Sequence, residues 1–128
     1  MLTYALVALG SAIGGTLRYW LSGLLAESVG ATFPWGTLVV NVTGSFAIGL
    51  FATLAGPDGR LLVPAEGRTF FMVGICGGYT TFSSFSLQTL ALVQDGEWLP
   101  AGLNVVGSVV LCLVAVWLGH AGAVALNR

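Results

Sequence analysis

The sequence contains no lysine, and only 7% of its 128 residues are charged. Soluble domains carry about 25% charged residues, so this composition excludes an ordinary soluble domain. The only cations are four arginines, and the formal net charge is −1. A chain of this kind has no basic surface for a phosphate backbone, and we expect no nucleic-acid partner.

Residue types that bind metals or perform catalysis are also scarce. The chain has one histidine, His120, and two cysteines, Cys76 and Cys112, which lie far apart in apolar segments. No metal-ligand spacing, nucleophile–base pair or phosphate-binding loop is present. We interpret the cysteines as small buried hydrophobic residues and predict that the protein is not an enzyme.

Long apolar segments take the place of these features, and 56% of the residues are hydrophobic. A helix needs about 20 mostly apolar residues to cross the hydrocarbon of a membrane. We therefore predict an all-α membrane protein, with residues 1–128 forming a single integral membrane domain. Its four predicted spanning helices are Leu2–Leu25, Trp35–Leu54, Thr69–Val93 and Leu99–Ala125. The first segment lacks the basic start of a signal peptide, so we expect it to be retained as a helix.

The arginines predict an orientation for these helices. Four helices place both termini on one side of the membrane, and Arg60, Arg68 and Arg128 fall on that side. The opposite side has at most Arg18. By the positive-inside rule, this small bias favours both termini in the cytoplasm.

The third apolar segment contains the stretch GGYTTFSSFS, residues 77–86. Its glycines and hydroxyls suit a lipid-facing helix poorly, so we predict that the helix breaks there. A break frees backbone carbonyl and N–H groups, which must then be satisfied by protein, water or an ion. Discontinuous membrane helices are places where transporters bind ions. The alternative is a glycine-rich helix packed tightly against a neighbour.

Polar side chains recur every four residues on two other predicted helices. They are Thr37, Asn41 and Ser45 on the second helix, and Asn104, Ser108 and Cys112 on the fourth. No carboxylate accompanies them, and a path of amide and hydroxyl donors without carboxylates favours an anion. For Asn41, a hydrogen bond between helices is an equally good interpretation.

Two further features have a functional and a structural interpretation. Phe82 and Phe85 could present their ring edges, which carry partial positive charge, to an anion. Taken alone, an i, i+3 pair of phenylalanines is more typical of core packing. Arg18 lies inside an apolar segment, where arginine is often functional. It could equally extend its charged end to the membrane surface beside Tyr19 and Trp20.

The stretches GGYTTFSSFS, NVTGSFAIG and GGTLRYW together resemble the Fluc (CrcB) family of small fluoride channels, and the likeness runs over nearly the whole chain. The resemblance implies passive, selective export of fluoride across a bacterial-type cell (inner) membrane, which reduces fluoride toxicity. It also implies an antiparallel, dual-topology homodimer with two separate pores. If the chain inserts in one orientation only, its partner would be an oppositely oriented homologue.

The resemblance also assigns roles to individual residues. A structural Na⁺ ion at the dimer centre would be held by the backbone carbonyls of Gly77 and Thr80. The fluoride pore would be lined by Asn41, Phe82, Phe85 and Ser108, with Thr81 and Ser84 in the matching motif. Arg18 would lie at a vestibule. Gln88 and Asn104 depart from some members of the family, which carry glutamate and tyrosine at these positions.

Two other functions remain open from the sequence. A small four-helix multidrug transporter would be coupled to protons and would need a carboxylate within the membrane. Every acidic residue here lies at a helix end or in a loop, which argues against that function. A non-transporting membrane scaffold would need no central polar stripes, and a transport assay would distinguish it from a channel.

Overall fold

The computed structural model describes the whole chain, Met1–Arg128, as helices joined by short connections, with no β-strand. The predicted all-α fold is confirmed. The helical elements are α1 (Leu2–Val29), α2 (Trp35–Leu54), α3 (Ala65–Thr69), the π-helix π1 (Phe70–Cys76), α4 (Gly77–Tyr79), α5 (Phe82–Gln94) and α6 (Trp98–Leu126).

Three helical segments are long and apolar enough to cross a membrane. They are α2, the run from Ala65 to Gln94, and α6. The helix α1 has 28 residues but is not among the three, and it is the helix that contains Arg18. Apolar composition therefore supports three of the four predicted spanning helices.

Most predicted helix ends lie close to the observed ones. The bounds of α2 coincide with the prediction, and α6 is one residue longer at each end than predicted. The helix α1 continues past the predicted end at Leu25 to Val29. The polar residues there suggested a loop, but Ser28 Oγ donates to Leu24 O at 2.8 Å within the last turns. Polarity marks where a helix leaves the apolar layer, which need not be where the helix ends.

Small residues of α1 pack against the backbone of π1 and α4. A Cβ atom on Gly10 would lie 2.7 Å from Phe70 O, and one on Gly78 would lie 2.7 Å from Ser11 O. Both distances are too short for real Cβ atoms. The glycines Gly10 and Gly14 of α1 are therefore used for close helix packing inside this chain.

The helices α2 and α6 form the most extensive contact in the molecule. A Cβ atom on Gly49 would collide with Val116 O, and one on Gly119 would collide with Phe46 O. In contrast, α5 packs chiefly on α6 and touches α2 only lightly. One face of α5 is therefore left uncovered by the rest of the chain.

Candidate ion-binding site

The third apolar segment is broken at Thr80 and Thr81, as predicted. The backbone of Thr80 has φ −83° and ψ 159°, and that of Thr81 has φ −152° and ψ 122°, so both residues are extended. The helix stops at Tyr79 and resumes at Phe82. Gly74 and Gly78, before the break, also pack tightly on α1, so the stretch combines a break with close helix packing.

Asn41 of α2 binds the backbone at the break with both arms of its side-chain amide. Its Nδ2 donates to Thr81 O at 2.9 Å, and Thr81 N donates to Asn41 Oδ1 at 2.7 Å. The interhelical hydrogen bond considered for Asn41 is thus present. An amide nitrogen carries two hydrogens, so one N–H of Asn41 remains beyond this pair of bonds.

Hydroxyl groups satisfy backbone atoms on each side of the break. Thr80 donates to Cys76 O from both its backbone N and its Oγ1, each at 3.0 Å. Ser84 N donates to Thr81 Oγ1 at 3.1 Å, which makes Thr81 the N-cap of α5. The hydroxyl of Thr81 therefore acts on the local backbone, as N-cap residues commonly do, whereas Ser84 contributes its backbone N–H.

Two more side chains hold the break against α2 and α1. Thr43 Oγ1 lies 2.8 Å from Tyr79 Oη, and it also donates to Val39 O at 2.8 Å. Since a hydroxyl has one hydrogen, Tyr79 is the donor to Thr43. On the other side, Arg18 Nε donates to Gly78 O at 3.2 Å. Arg18 therefore points into the molecule, and its vestibule role stays a prediction.

A cavity of about 350 Å³ lies beside the break and is bounded by α2, π1, α4, α5 and α6. No charged side chain lines it. Its lining includes most of the predicted site residues, namely Asn41, Gly77, Thr80, Thr81, Phe82, Phe85 and Ser108. Ser84 and Arg18 are the two predicted residues that do not line the cavity. Residues from two separate helices and the break are thus brought to one place.

The rings of Phe82 and Phe85 are neighbours at the cavity. Their centroids are 5.3 Å apart and their planes are inclined by 53°. Phe82 is 77% exposed, so within this chain the pair is not buried as a hydrophobic core. Tilted rings can direct their positive edges toward an anion.

A chain of hydrogen bonds connects Ser108 to α5. Ser108 Oγ donates to Asn104 Oδ1 at 3.3 Å, and Asn104 Nδ2 donates to Thr89 Oγ1 at 2.9 Å. Thr89 Oγ1 in turn donates to Phe85 O at 2.8 Å. Asn104 is only 2% exposed and does not line the cavity, so here it joins α6 to α5.

Three residues of this arrangement were not predicted from the sequence: Thr43, Tyr79 and Thr89. Each uses a hydroxyl to join two helices or to support the break. The available signal was a hydroxyl within an apolar segment, but several other hydroxyls share it and simply bond back to their own helix. Spacing along one helix therefore could not separate the hydroxyls that join helices from those that bond back to their own helix.

The acidic residues lie away from the cavity. Neither aspartate nor glutamate is present in its lining, which consists of apolar, hydroxyl, amide and thiol side chains with backbone groups. The cavity thus lacks the carboxylate that a proton-coupled exporter would need. Its chemistry suits a small anion beside neutral donors, or a cation beside backbone carbonyls.

Comparison with known proteins links this chain to one family. The family model described as CrcB-like protein, Camphor Resistance (CrcB), matches residues 5–120. The fluoride-specific ion channel FluC of Paramagnetospirillum magneticum is 77% identical over 100% of both chains. The protein of the same name from Rhodospirillum rubrum is 66% identical, covering 99% of this chain and 98% of its own. The FluC channel of Opitutus terrae is also 66% identical, with 99% and 96% covered.

Proposed function

The chain belongs to the CrcB-like family, and from this membership we propose that it is a fluoride-specific ion channel, not an enzyme. The observation that carries the proposal is the uncharged cavity beside the broken helix, where amide, hydroxyl and aromatic groups meet. We expect the channel to let fluoride leave the cytoplasm passively and so to reduce fluoride toxicity.

The lining of the cavity explains how fluoride could pass. Fluoride is small and strongly hydrated, so a pore must replace its water shell with donors yet release the ion readily. The remaining N–H of Asn41 is a neutral donor, and Phe82 and Phe85 offer ring edges, whereas the hydrogen of the Ser108 hydroxyl is engaged with Asn104 Oδ1. Because no charged side chain lines the cavity, fluoride meets no side-chain counter-charge that would trap it.

We place α1 across the membrane as a fourth spanning helix. Its 28 residues would extend about 42 Å, which exceeds the hydrocarbon thickness. It packs along π1 and α4, which belong to a segment apolar enough to span. The bond from Arg18 to Gly78 O directs the one charge in the middle of this helix toward protein. Charged groups within a membrane commonly face the protein interior in this way.

The same proposal includes an antiparallel homodimer. Phe82 is 77% exposed beside the cavity, and α5 has one face that no other helix of the chain covers. A second copy would cover both, and it would complete the aromatic lining from the other side. If the chain inserts in one orientation only, an oppositely oriented homologue would take the place of the second copy.

A structural Na⁺ ion at the centre of the dimer fits the groups present at the break. Hard cations take oxygen ligands, and the extended residues Thr80 and Thr81 remove nearby carbonyls from the regular helical pattern. The backbone of Gly77 and Thr80 lies at the cavity, and these carbonyls would hold the ion. When bound, Na⁺ would neutralise the carbonyl dipoles and fix the two breaks against each other.

We assign the protein to the inner membrane of a bacterial-type cell. The favoured orientation of the chain has both termini in the cytoplasm. Arg60 Nη1 donates to Leu126 O at 2.9 Å and Arg68 Nη1 donates to Ala55 O at 3.0 Å. These arginines lie at helix C-termini, where cations are favourable. The same charges produce the modest positive-inside bias.

The test is fluoride efflux from liposomes that contain the purified protein, followed with a fluoride electrode. Protein-free liposomes and a chloride electrode serve as controls. We expect rapid release of fluoride and no release of chloride. A scaffold protein would release neither ion, and a proton-coupled exporter would require a pH gradient. If neither the chain alone nor the chain co-expressed with an oppositely oriented homologue releases fluoride, the proposal is wrong.

A further inference from the structure

Two backbone N–H groups at the break are diverted from their helical partners. In a continuous α-helix, each N–H bonds to the carbonyl four residues earlier. Thr81 N would then bond to Gly77 O, and Ser84 N would bond to Thr80 O. Instead, Thr81 N donates to Asn41 Oδ1 at 2.7 Å, and Ser84 N donates to Thr81 Oγ1 at 3.1 Å.

The carbonyls next to those of Gly77 and Thr80 do accept hydrogen bonds from the protein. Cys76 O accepts two bonds from Thr80, and Gly78 O accepts one from Arg18. Thr81 O accepts the second arm of Asn41. Protein donors are thus supplied to these three carbonyls, whereas the donors that would pair with Gly77 O and Thr80 O are withdrawn by named side chains.

We propose that Asn41 and Thr81 are positioning residues for the cation site, because they keep the carbonyls of Gly77 and Thr80 free of helical hydrogen bonds. The inference rests on the Na⁺ site that the proposed function includes. Without Asn41 Oδ1, the break can close into a helical turn in which the N–H of Thr81 bonds to Gly77 O. Without the hydroxyl of Thr81, such a turn can also bring the N–H of Ser84 to Thr80 O. In each case a protein donor competes with the ion for the same oxygen.

This arrangement couples the cation site to the anion path. Asn41 and Thr81 both line the cavity, and each also releases one carbonyl. A substitution at either residue should therefore weaken Na⁺ binding in the absence of fluoride. A residue that only contacted fluoride would leave Na⁺ binding unchanged, and this difference separates the two roles.

The experiment measures Na⁺ binding without measuring transport. The melting temperature of the full-length protein in detergent is followed as NaCl replaces choline chloride at constant ionic strength, because a ligand that binds the folded state raises it. The test variants are Asn41→Leu and Thr81→Val. Thr81→Ser keeps the capping hydroxyl. Thr16→Val is a matched control, since Thr16 Oγ1 donates only within α1, to Ala12 O at 2.6 Å.

We expect the Na⁺ concentration that gives half of the maximal rise in melting temperature to be about tenfold higher in Asn41→Leu and Thr81→Val. A protein donor that competes for the carbonyl weakens ion binding by up to about a factor of ten. Thr81→Ser and Thr16→Val should stay near the parent value. An unchanged midpoint in Thr81→Val would overturn the inference, and this variant decides the matter even if Asn41→Leu fails to fold.

The outcomes also separate this inference from the proposed function. A parent protein with no Na⁺-dependent melting temperature, but with fluoride efflux in liposomes, would overturn the cation site and its positioning residues while leaving the channel intact. A parent protein with a Na⁺-dependent melting temperature but no efflux would contradict the channel and retain the positioning role of the two side chains.

Discussion

At the scale of single residues, Gly44 shows how closely the break is fitted to α2. A Cβ atom at this position would collide with Thr80 Cγ2 and would lie 3.1 Å from Tyr79 Cδ2. The absence of a side chain therefore allows the extended residues to approach the helix that carries Asn41. Close approach of backbones is a common use of glycine in membrane helices.

Replacing Gly44 with alanine should consequently destabilise the protein. Overpacking of this kind costs typically about 1–3 kcal/mol, and here it would also push Thr80 away from α2. The melting temperature in detergent provides the measurement. Gly102→Ala is the control, since a Cβ atom there meets nothing within 4 Å and alanine favours the helix. Equal melting temperatures for the two variants would contradict the fit described here.

The hydrogen bond from Tyr79 to Thr43 leads to a second prediction. Tyr79→Phe and Thr43→Val should each reduce the free energy of unfolding by about 1 kcal/mol, because each removes one partner of the same bond. The double variant should lose little more than either single variant. Additive losses in this double-mutant cycle would mean that the two hydroxyls do not interact.

At the scale of helices, the position of α5 depends on the hydrogen bonds from Asn104. Asn104→Leu would remove the donor to Thr89 Oγ1 and leave Ser108 without its acceptor in a buried place. We expect a loss of about 1–3 kcal/mol in stability, the usual result of unpairing buried polar groups. The substitution should accelerate backbone hydrogen exchange in α5 more than in α2.

The control for this prediction is Gln94→Ala, at the exposed end of α5, where no side-chain hydrogen bond is formed. It should leave exchange in the middle of α5 as it is in the parent protein. If Asn104→Leu changes exchange uniformly over all helices, the idea of a local connection between α6 and α5 is wrong.

The helices show which parts of the fold could be predicted. A long apolar run predicted α2 to the residue, and the clustered glycines and hydroxyls predicted the break. The π-helix from Phe70 to Cys76 was not predicted, because α and π backbones differ in hydrogen-bond register and not in composition.

The candidate site, too, could be predicted only in part from the sequence. Asn41 was recognisable as an amide among apolar residues, but its partner Thr81 lies 40 positions away, and periodicity within one helix cannot identify it. Seven of the fourteen residues that line the cavity followed from the family resemblance. The link from Asn104 to Thr89 could not be predicted, since α5 and α6 had first to be placed side by side.

At the scale of the whole molecule, the proposed dimer predicts how the chain inserts. A homodimer of antiparallel copies needs both orientations, which three arginines against one still permit. Two reporters fused after Arg128, one active only in the cytoplasm and one only outside, should both give signals. A signal from only one of them would contradict the homodimer and favour an oppositely oriented homologue as partner.

The central position of the break has a consequence for electrical behaviour. Helical segments of similar length lie on each side of Thr80 and Thr81, so the break falls near the middle of the spanning segment. In an antiparallel pair, a two-fold axis through the breaks lies in the membrane plane and makes the two mouths of the assembly equivalent. Such a conductor cannot rectify, and its current–voltage curve must be symmetric when both solutions are identical. The direction of fluoride flow would then depend only on the ion's electrochemical gradient.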